Sequence, residues 1–209
     1  MIDRHGTRLL LCDFGFGRQC SIPLSPTYTA EICTLWYRPP ELLLGSRSYG
    51  AEVDLWAAGL TVAEMLLGKP MLTGDNDLDQ LMRIFELLGT PTERTWPSIV
   101  QLPEYKPESF PNYRKPTLDA RMASIASEDL LAMDFVRSTL RYVPNQRLSA
   151  KRALLHPFLS VYLPQGSRET VVTSSSPGSK KRCRQRERQA APQRRTVALA
   201  SQMWRKLFA

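Results

Sequence analysis

The chain has 209 residues, 43% of them apolar and 23% charged. That balance suits one large domain, or a medium domain with an appendage, and excludes a wholly disordered, collagen-like or disulfide-dense chain. The formal charge of +8 is uneven: residues 1–163 carry 17 Lys+Arg against 18 Asp+Glu, and residues 164–209 carry 11 against 2, so only the tail is basic and the charge does not mark the remainder as a nucleic-acid or membrane binder.

Asp3-Arg4-His5-Gly6 reads as a turn and Arg8–Cys12 as a short strand. Met1 and Ile2 then look like the end of a partner strand, so a β-hairpin remnant is expected at the start. Residues 13–35 are rich in Ser, Thr, Pro and Gly without helical period, and an extended loop of that length is uncommon unless functional. From Val53 to Leu67 apolar residues cover nearly all faces of a helix, which predicts a central helix packed on every side and ended by Gly68. A second helix is expected over Asp75–Leu88, with Asp75, Asp77 and Asp79 favourable near its start and Gly89 after its end. Residues 90–118 hold six prolines and read as an irregular connection. Ser127 is expected to cap a third helix reaching about Leu140, and Ser149 a short one ending before His156-Pro157.

After Leu163 the composition shifts to Thr173-Ser174-Ser175-Ser176 and then to the basic run Lys180–Arg188. Residues 164–209 are expected to be a disordered basic tail, with an amphipathic helical pattern from Val197 to Phe208. The basic run fits a nuclear-import signal or weak contact with a nucleic-acid backbone, and equally a solvated tail. Cys12, Cys20, Cys33 and Cys183 form no CxxC pair, and His5 and His156 are far apart, so zinc-site spacing is absent. The longest apolar stretch, Leu55–Leu67, is too short to span a membrane and contains Glu64; no basic-then-apolar leader opens the chain. The expected setting is a reducing intracellular compartment, cytoplasm and/or nucleus.

Four motifs occur in one order at mutually compatible spacings: Asp13-Phe14-Gly15, Thr34-Leu35-Trp36-Tyr37-Arg38-Pro39-Pro40-Glu41, Asp54-Leu55-Trp56-Ala57-Ala58-Gly59, and Arg147. Any one of them is weak; together they resemble the eukaryotic serine/threonine protein kinase catalytic domain. Gly74–Leu81, Leu88-Gly89-Thr90-Pro91 and Trp96-Pro97 resemble the cyclin-dependent-kinase and MAP-kinase group. Within it, Thr34–Arg38 and Pro103-Glu104-Tyr105 look most like cyclin-dependent kinases, including their cell-cycle-related branch. The resemblance covers about residues 1–163. It implies a mainly α C-terminal lobe of the protein kinase-like fold, with a short N-terminal β-hairpin remnant and the basic tail behind it. The implied activity is phosphoryl transfer from ATP to protein Ser/Thr, with Mg²⁺ and a preference for a following proline.

The resemblance assigns roles residue by residue. Asp13 would hold the Mg²⁺ that bridges the ATP phosphates, since a hard cation takes carboxylate oxygen and shares its shell with phosphates. Phe14 would pack inward and Gly15 would permit the backbone turn between loop positions. Thr29 stands where such kinases carry an activating phosphothreonine, and Arg18 is one matching phosphate partner. Thr34 resembles the residue that ties this loop to the catalytic base. Ile32, Cys33, Leu35, Trp36 and Arg38 resemble the pocket for the substrate residue after the phosphoacceptor. Glu41 and Arg147 match a buried ion pair of architectural role, and Asp54 a carboxylate that accepts backbone N–H groups of the catalytic loop.

Phosphoryl transfer also needs a glycine-rich cover, a lysine paired with a helix glutamate, and a catalytic-loop Asp and Asn. Only 12 residues precede Asp13 and none suits any of these. The 209 residues are therefore expected to be inactive by themselves and to fold marginally, because Asp54 and the Val53–Leu67 helix would lack their neighbours. Protein substrates are the implied partners, with a cyclin or cyclin-like activator in a longer form. Two other readings stand beside this one: a non-catalytic, pseudokinase-like binding module docking near Arg38, and a function carried by the tail.

Overall fold

The structure, a computed structural model, describes residues 10–17 and 33–160. Met1, Ile2, Arg18, Cys20, Thr29, Ile32 and the tail 164–209 lie outside the described residues, and with them most of the expected hairpin. The described part is mainly helical and contains no strand. Leu10–Cys12, expected to end a strand, are irregular, with Leu11 83% exposed. A strand exists only through its ladder, and the expected partner, Met1 and Ile2, lies outside the described residues.

Eight helices organise the rest of the described chain: α1 (Pro40–Leu43), α2 (Glu52–Leu67), α3 (Asp77–Leu88), α4 (Leu118–Arg121), α5 (Ala123–Ala126), α6 (Leu130–Thr139), α7 (Ala150–Leu154) and α8 (Pro157–Ser160). Pro40 at the first position of α1 has no N–H to lose and its fixed φ suits a helix start. Helix α2 ends where Gly68 turns left-handed at φ 72°, its N–H bonded to the Glu64 carbonyl. The expected start of α3 at Asp75 shifts to Asp77, because Asn76 is the residue whose side chain accepts from the Asp79 amide. Ser127 likewise yields to Asp129, whose carboxylate accepts from Leu131 N and Ala132 N and so begins α6. Ser127 closes α5 instead, its amide bonded to the Ala123 carbonyl. Ser149 caps α7 through the Arg152 amide, as expected.

One core joins these helices. Trp56, Leu60 and Ala63 of α2 pack with Leu81, Ile84, Phe85 and Leu87 of α3, Met133 and Val136 of α6, and Trp96, Ile99 and Met122 from the connections. Helices α2 and α6 cross at Gly59: a Cβ there would stand 2.2 Å from Thr139 Oγ1 and 2.8 Å from Thr139 Cβ, so only glycine lets the backbones approach. The proline-rich segment after α3 is irregular apart from single turns at Ile99–Gln101 and Pro107–Ser109. It is nevertheless anchored: the Trp96 and Tyr142 rings stack at 5.7 Å, and the Tyr142 hydroxyl donates to the Gly89 carbonyl at 2.5 Å. Burial of that hydroxyl raises its pKa.

Helix α2 departs from the expectation that it is covered on every side. Trp56, Gly59, Leu60 and Ala63 are buried, but Asp54, Ala58, Thr61 and Met65 form an exposed stripe at helical spacing, with Met65 51% exposed. The described elements pack α2 from one side only. No described helix is long and apolar enough to cross a membrane.

Candidate functional site

Asp13 precedes a single 3-10 turn over Phe14–Phe16, closed by the Gly17 amide on the Phe14 carbonyl at 2.8 Å. Its own backbone is left-handed at φ 63°, a conformation that Asp tolerates better than most residues. The Asp13 side chain caps no N–H of the turn, and the residue is exposed. Phe14 does not pack inward: it is 73% exposed, and Phe16 61%, because no described segment forms an apolar pocket over this turn.

The segment Cys33–Arg38 is held by α3. The Gln80 side chain, fully buried, donates to the Trp36 carbonyl at 3.0 Å and accepts from the Gly74 amide at 2.8 Å. Trp36 Nε1 donates to the Gly74 carbonyl at 3.0 Å, closing a ring of three residues. A Cβ on Gly74 would lie 2.5 Å from Gln80 Cα, so the close approach depends on glycine. On the other side, the Tyr37 hydroxyl donates to Glu64 of α2. Desolvation, and then that hydrogen bond, push the Tyr37 pKa up to about 12. Leu35 and Tyr37, both partly buried, pack against the core.

Arg38 reads both ends of this segment. Its Nη1 pairs with Asp77 at the start of α3 at 2.9 Å, and its Nη2 donates to the Cys33 carbonyl at 3.3 Å. Cys33 is left-handed at φ 58°. Desolvation by neighbouring atoms raises the Cys33 thiol pKa more than the Arg38 charge lowers it. Thr34 is exposed beside it and caps no N–H of the following turn. Of the pocket residues, Cys33, Leu35, Trp36 and Arg38 therefore sit on one short stretch; Ile32 lies outside the described residues.

The structure brings Glu41 and Arg147 together from 106 positions apart. Arg147 Nη1 meets Glu41 Oε1 at 2.6 Å and Nη2 meets Oε2 at 2.5 Å, with the two side chains 1% and 5% exposed. Arg147 also donates to the carbonyls of Arg141, Glu52 and Tyr142, and lies 5.0 Å over the Trp56 ring. A two-pronged pair with its remaining donors satisfied is the arrangement in which a buried charge is tolerable. It ties α1 to the start of α2 and to the loop after α6. Asp54, in the first turn of α2, is exposed, and partial desolvation of its carboxyl raises its pKa.

The protein kinase domain family model matches residues 1–159. The chain belongs to the protein kinase domain family. Kinases transfer phosphate from ATP to protein hydroxyls with Mg²⁺, so residues able to hold that cation are the first to ask of this kinase-domain chain. Asp13 fits as one oxygen ligand, being exposed and not spent on the turn that follows it. Among the described residues no group of three His, Cys, Asp or Glu stands close enough to hold a metal, so the remaining shell would come from phosphates, water and other protein oxygen.

Sequence reading missed Gln80, Asp77 and Glu64, which position the segment that holds Trp36, Tyr37 and Arg38. A signal for Gln80 exists: it is a lone amide on the α3 face that also carries Leu81, Ile84, Phe85 and Leu87 inward. A buried polar group needs partners, and Gly74 and Trp36 supply them.

Proposed function

We propose that these residues are the C-terminal lobe of an ATP-dependent serine/threonine protein kinase of the cyclin-dependent type, directed to Ser or Thr followed by proline. The observation that carries the reading is the contact of Arg38 with the Cys33 carbonyl. Left-handed backbone at Cys33 turns that carbonyl towards the guanidinium, where it is already engaged. A substrate residue lying against this segment finds no backbone acceptor there for its N–H. Leaving an N–H unpaired costs roughly 1–3 kcal/mol, and proline has none to leave. In this reading Asp13 holds Mg²⁺ on the ATP phosphates, Thr29 is the activating phosphosite with Arg18 as a partner, and Thr34 supports the catalytic base.

The base, the catalytic-loop Asn, the Lys and the glycine-rich cover would come from outside these 209 residues, which by themselves do not transfer phosphate. A cyclin or cyclin-like activator belongs to the complete form, and the basic run Lys180–Arg188 is read as a nuclear-import signal rather than a nucleic-acid site.

The test joins the chain behind a kinase N-terminal lobe and catalytic loop and compares matched Ser-Pro and Ser-Ala peptides. Preference for Ser-Pro by about ten-fold or more, reduced in Arg38→Ala, is expected from one unpaired N–H. Equal use of both peptides overturns the proline-directed reading. The pseudokinase-like alternative predicts no transfer by the joined protein to either peptide.

A further inference from the structure

Only the two ends of its guanidinium hold Arg38 in place. The side chain is 14% exposed, and its buried Nε meets no acceptor among the described residues. Its orientation therefore rests on Nη1, which pairs with the Asp77 carboxylate at 2.9 Å, and on Nη2, which donates to the Cys33 carbonyl at 3.3 Å. These two contacts are unequal. The first is short and joins opposite charges, whereas the second is long for a hydrogen bond and ends on a neutral oxygen. A guanidinium is planar and rigid, so a carboxylate fixed at one amino group decides where the other points.

We propose that Asp77 is the positioning residue for proline selectivity, holding Arg38 so that Nη2 keeps the Cys33 carbonyl engaged. The inference rests on the proline-directed reading of that carbonyl. Asp77 is itself held from behind. It opens α3 directly after Asn76, whose side chain caps the helix through the Asp79 amide, and within the same turn Gln80 ties the helix to Trp36 and Gly74. The nearby Asp79 is no substitute, because its carboxylate is already engaged by Arg83 Nε at 2.8 Å and by the Asp75 amide at 3.0 Å. Without the Asp77 carboxylate the guanidinium keeps only its longer contact and swings towards water. The Cys33 carbonyl is then free to accept from a substrate N–H, so the sign of the effect is a gain: a substrate without proline improves, because its N–H no longer goes unpaired.

The test measures kcat/KM for the matched Ser-Pro and Ser-Ala peptides with the 209 residues joined behind a kinase N-terminal lobe and catalytic loop. In Asp77→Ala the ratio of Ser-Ala to Ser-Pro use is expected to rise about three-fold, the size of one ion pair with an exposed partner, and to do so through faster use of Ser-Ala. Asp77→Glu restores the charge and is expected to bring the ratio back towards the wild-type value. Damage to the fold would instead slow both peptides together and leave the ratio where it was. An unchanged ratio in Asp77→Ala beside a raised one in Arg38→Ala overturns the positioning role and spares the proline-directed reading. A ratio raised as far in Asp77→Glu as in Asp77→Ala also overturns it, since the charge at position 77 is then not what holds Arg38. A wild-type joined protein that uses both peptides equally, or neither, removes the proline-directed reading and overturns this inference with it.

Discussion

Gln80 and Trp36, 44 positions apart, are joined by a hydrogen bond of 3.0 Å from the fully buried Gln80 side chain to the Trp36 carbonyl. With Gly74 the pair locks the segment carrying Arg38 onto the start of α3. Gln80→Leu keeps the volume but strands the Gly74 amide and the Trp36 carbonyl. The expected loss is about 2–4 kcal/mol for two groups left unpaired, read as a lowered urea midpoint with an unchanged slope, and the Gly74 amide becomes the site of fastest new exchange in α3 and its approach.

The Glu41–Arg147 pair predicts an asymmetric double-mutant cycle. Glu41→Ala or Arg147→Ala leaves one buried charge without its partner and costs about 3–5 kcal/mol. Replacing both with apolar residues, Glu41→Leu with Arg147→Met, recovers most of that loss. Denaturant unfolding of the four proteins measures it; equal losses in single and double variants contradict a charge-compensation account.

Gly59 predicts a steric effect with a partial rescue. Gly59→Ala forces a methyl into the Thr139 side chain, and overpacking of this kind costs about 1–3 kcal/mol despite the better helix propensity of alanine. Adding Thr139→Ala removes the nearer of the two clashing atoms. Thermal unfolding of the double variant is expected to fall between Gly59→Ala and wild type.

Two groups give the chain opposite pH limits. The Asp79 carboxylate accepts from Arg83 and from the Asp75 amide, which lowers its pKa below the ordinary value. Its contribution is present above the unfolded carboxylate pKa of about 3.9 and is lost as pH falls through the lowered folded value. Exchange of the Asp75 amide is expected to accelerate there, and Asp79→Asn removes that pH dependence. Tyr37 acts at the other end. Its pKa of about 12 means a contribution present below an unfolded value of about 10 and lost as pH rises towards 12. The difference in phenolate absorbance between wild type and Tyr37→Phe should develop around pH 12, not pH 10.

The sequence and the structure agree where a pattern is local and unambiguous. Helices α2 and α3 follow from apolar period and terminal glycines, and Ser149 from its place before α7. Helix starts shift where polar residues crowd within two positions: α3 begins after Asn76 instead of at Asp75, and the expected cap Ser127 yields to Asp129. Either residue type caps well, and the choice rests on where the preceding turn closes. A family motif carries an environment with it, which is why the sequence points Phe14 inward, whereas among the described residues nothing covers its ring. Glu41 and Arg147 were legible as motif residues; their four additional carbonyl and ring contacts were not, since nothing in spacing tells which carbonyls a distant loop will present. Gln80 shows the reverse case, a residue whose polarity on an apolar face announces partners that only folding identifies.

The central claim is that these residues supply the metal-holding and substrate-reading half of a phosphoryl-transfer site, with the rest supplied from outside them. The most direct measurement is Mg²⁺-dependent transfer of labelled phosphate from ATP to a Ser-Pro peptide by the purified 209-residue chain, alone and joined behind a kinase N-terminal lobe and catalytic loop. The account predicts no transfer alone, transfer when joined, and loss of the joined activity in Asp13→Asn. Transfer by the 209 residues alone, or joined activity that survives Asp13→Asn, would contradict it.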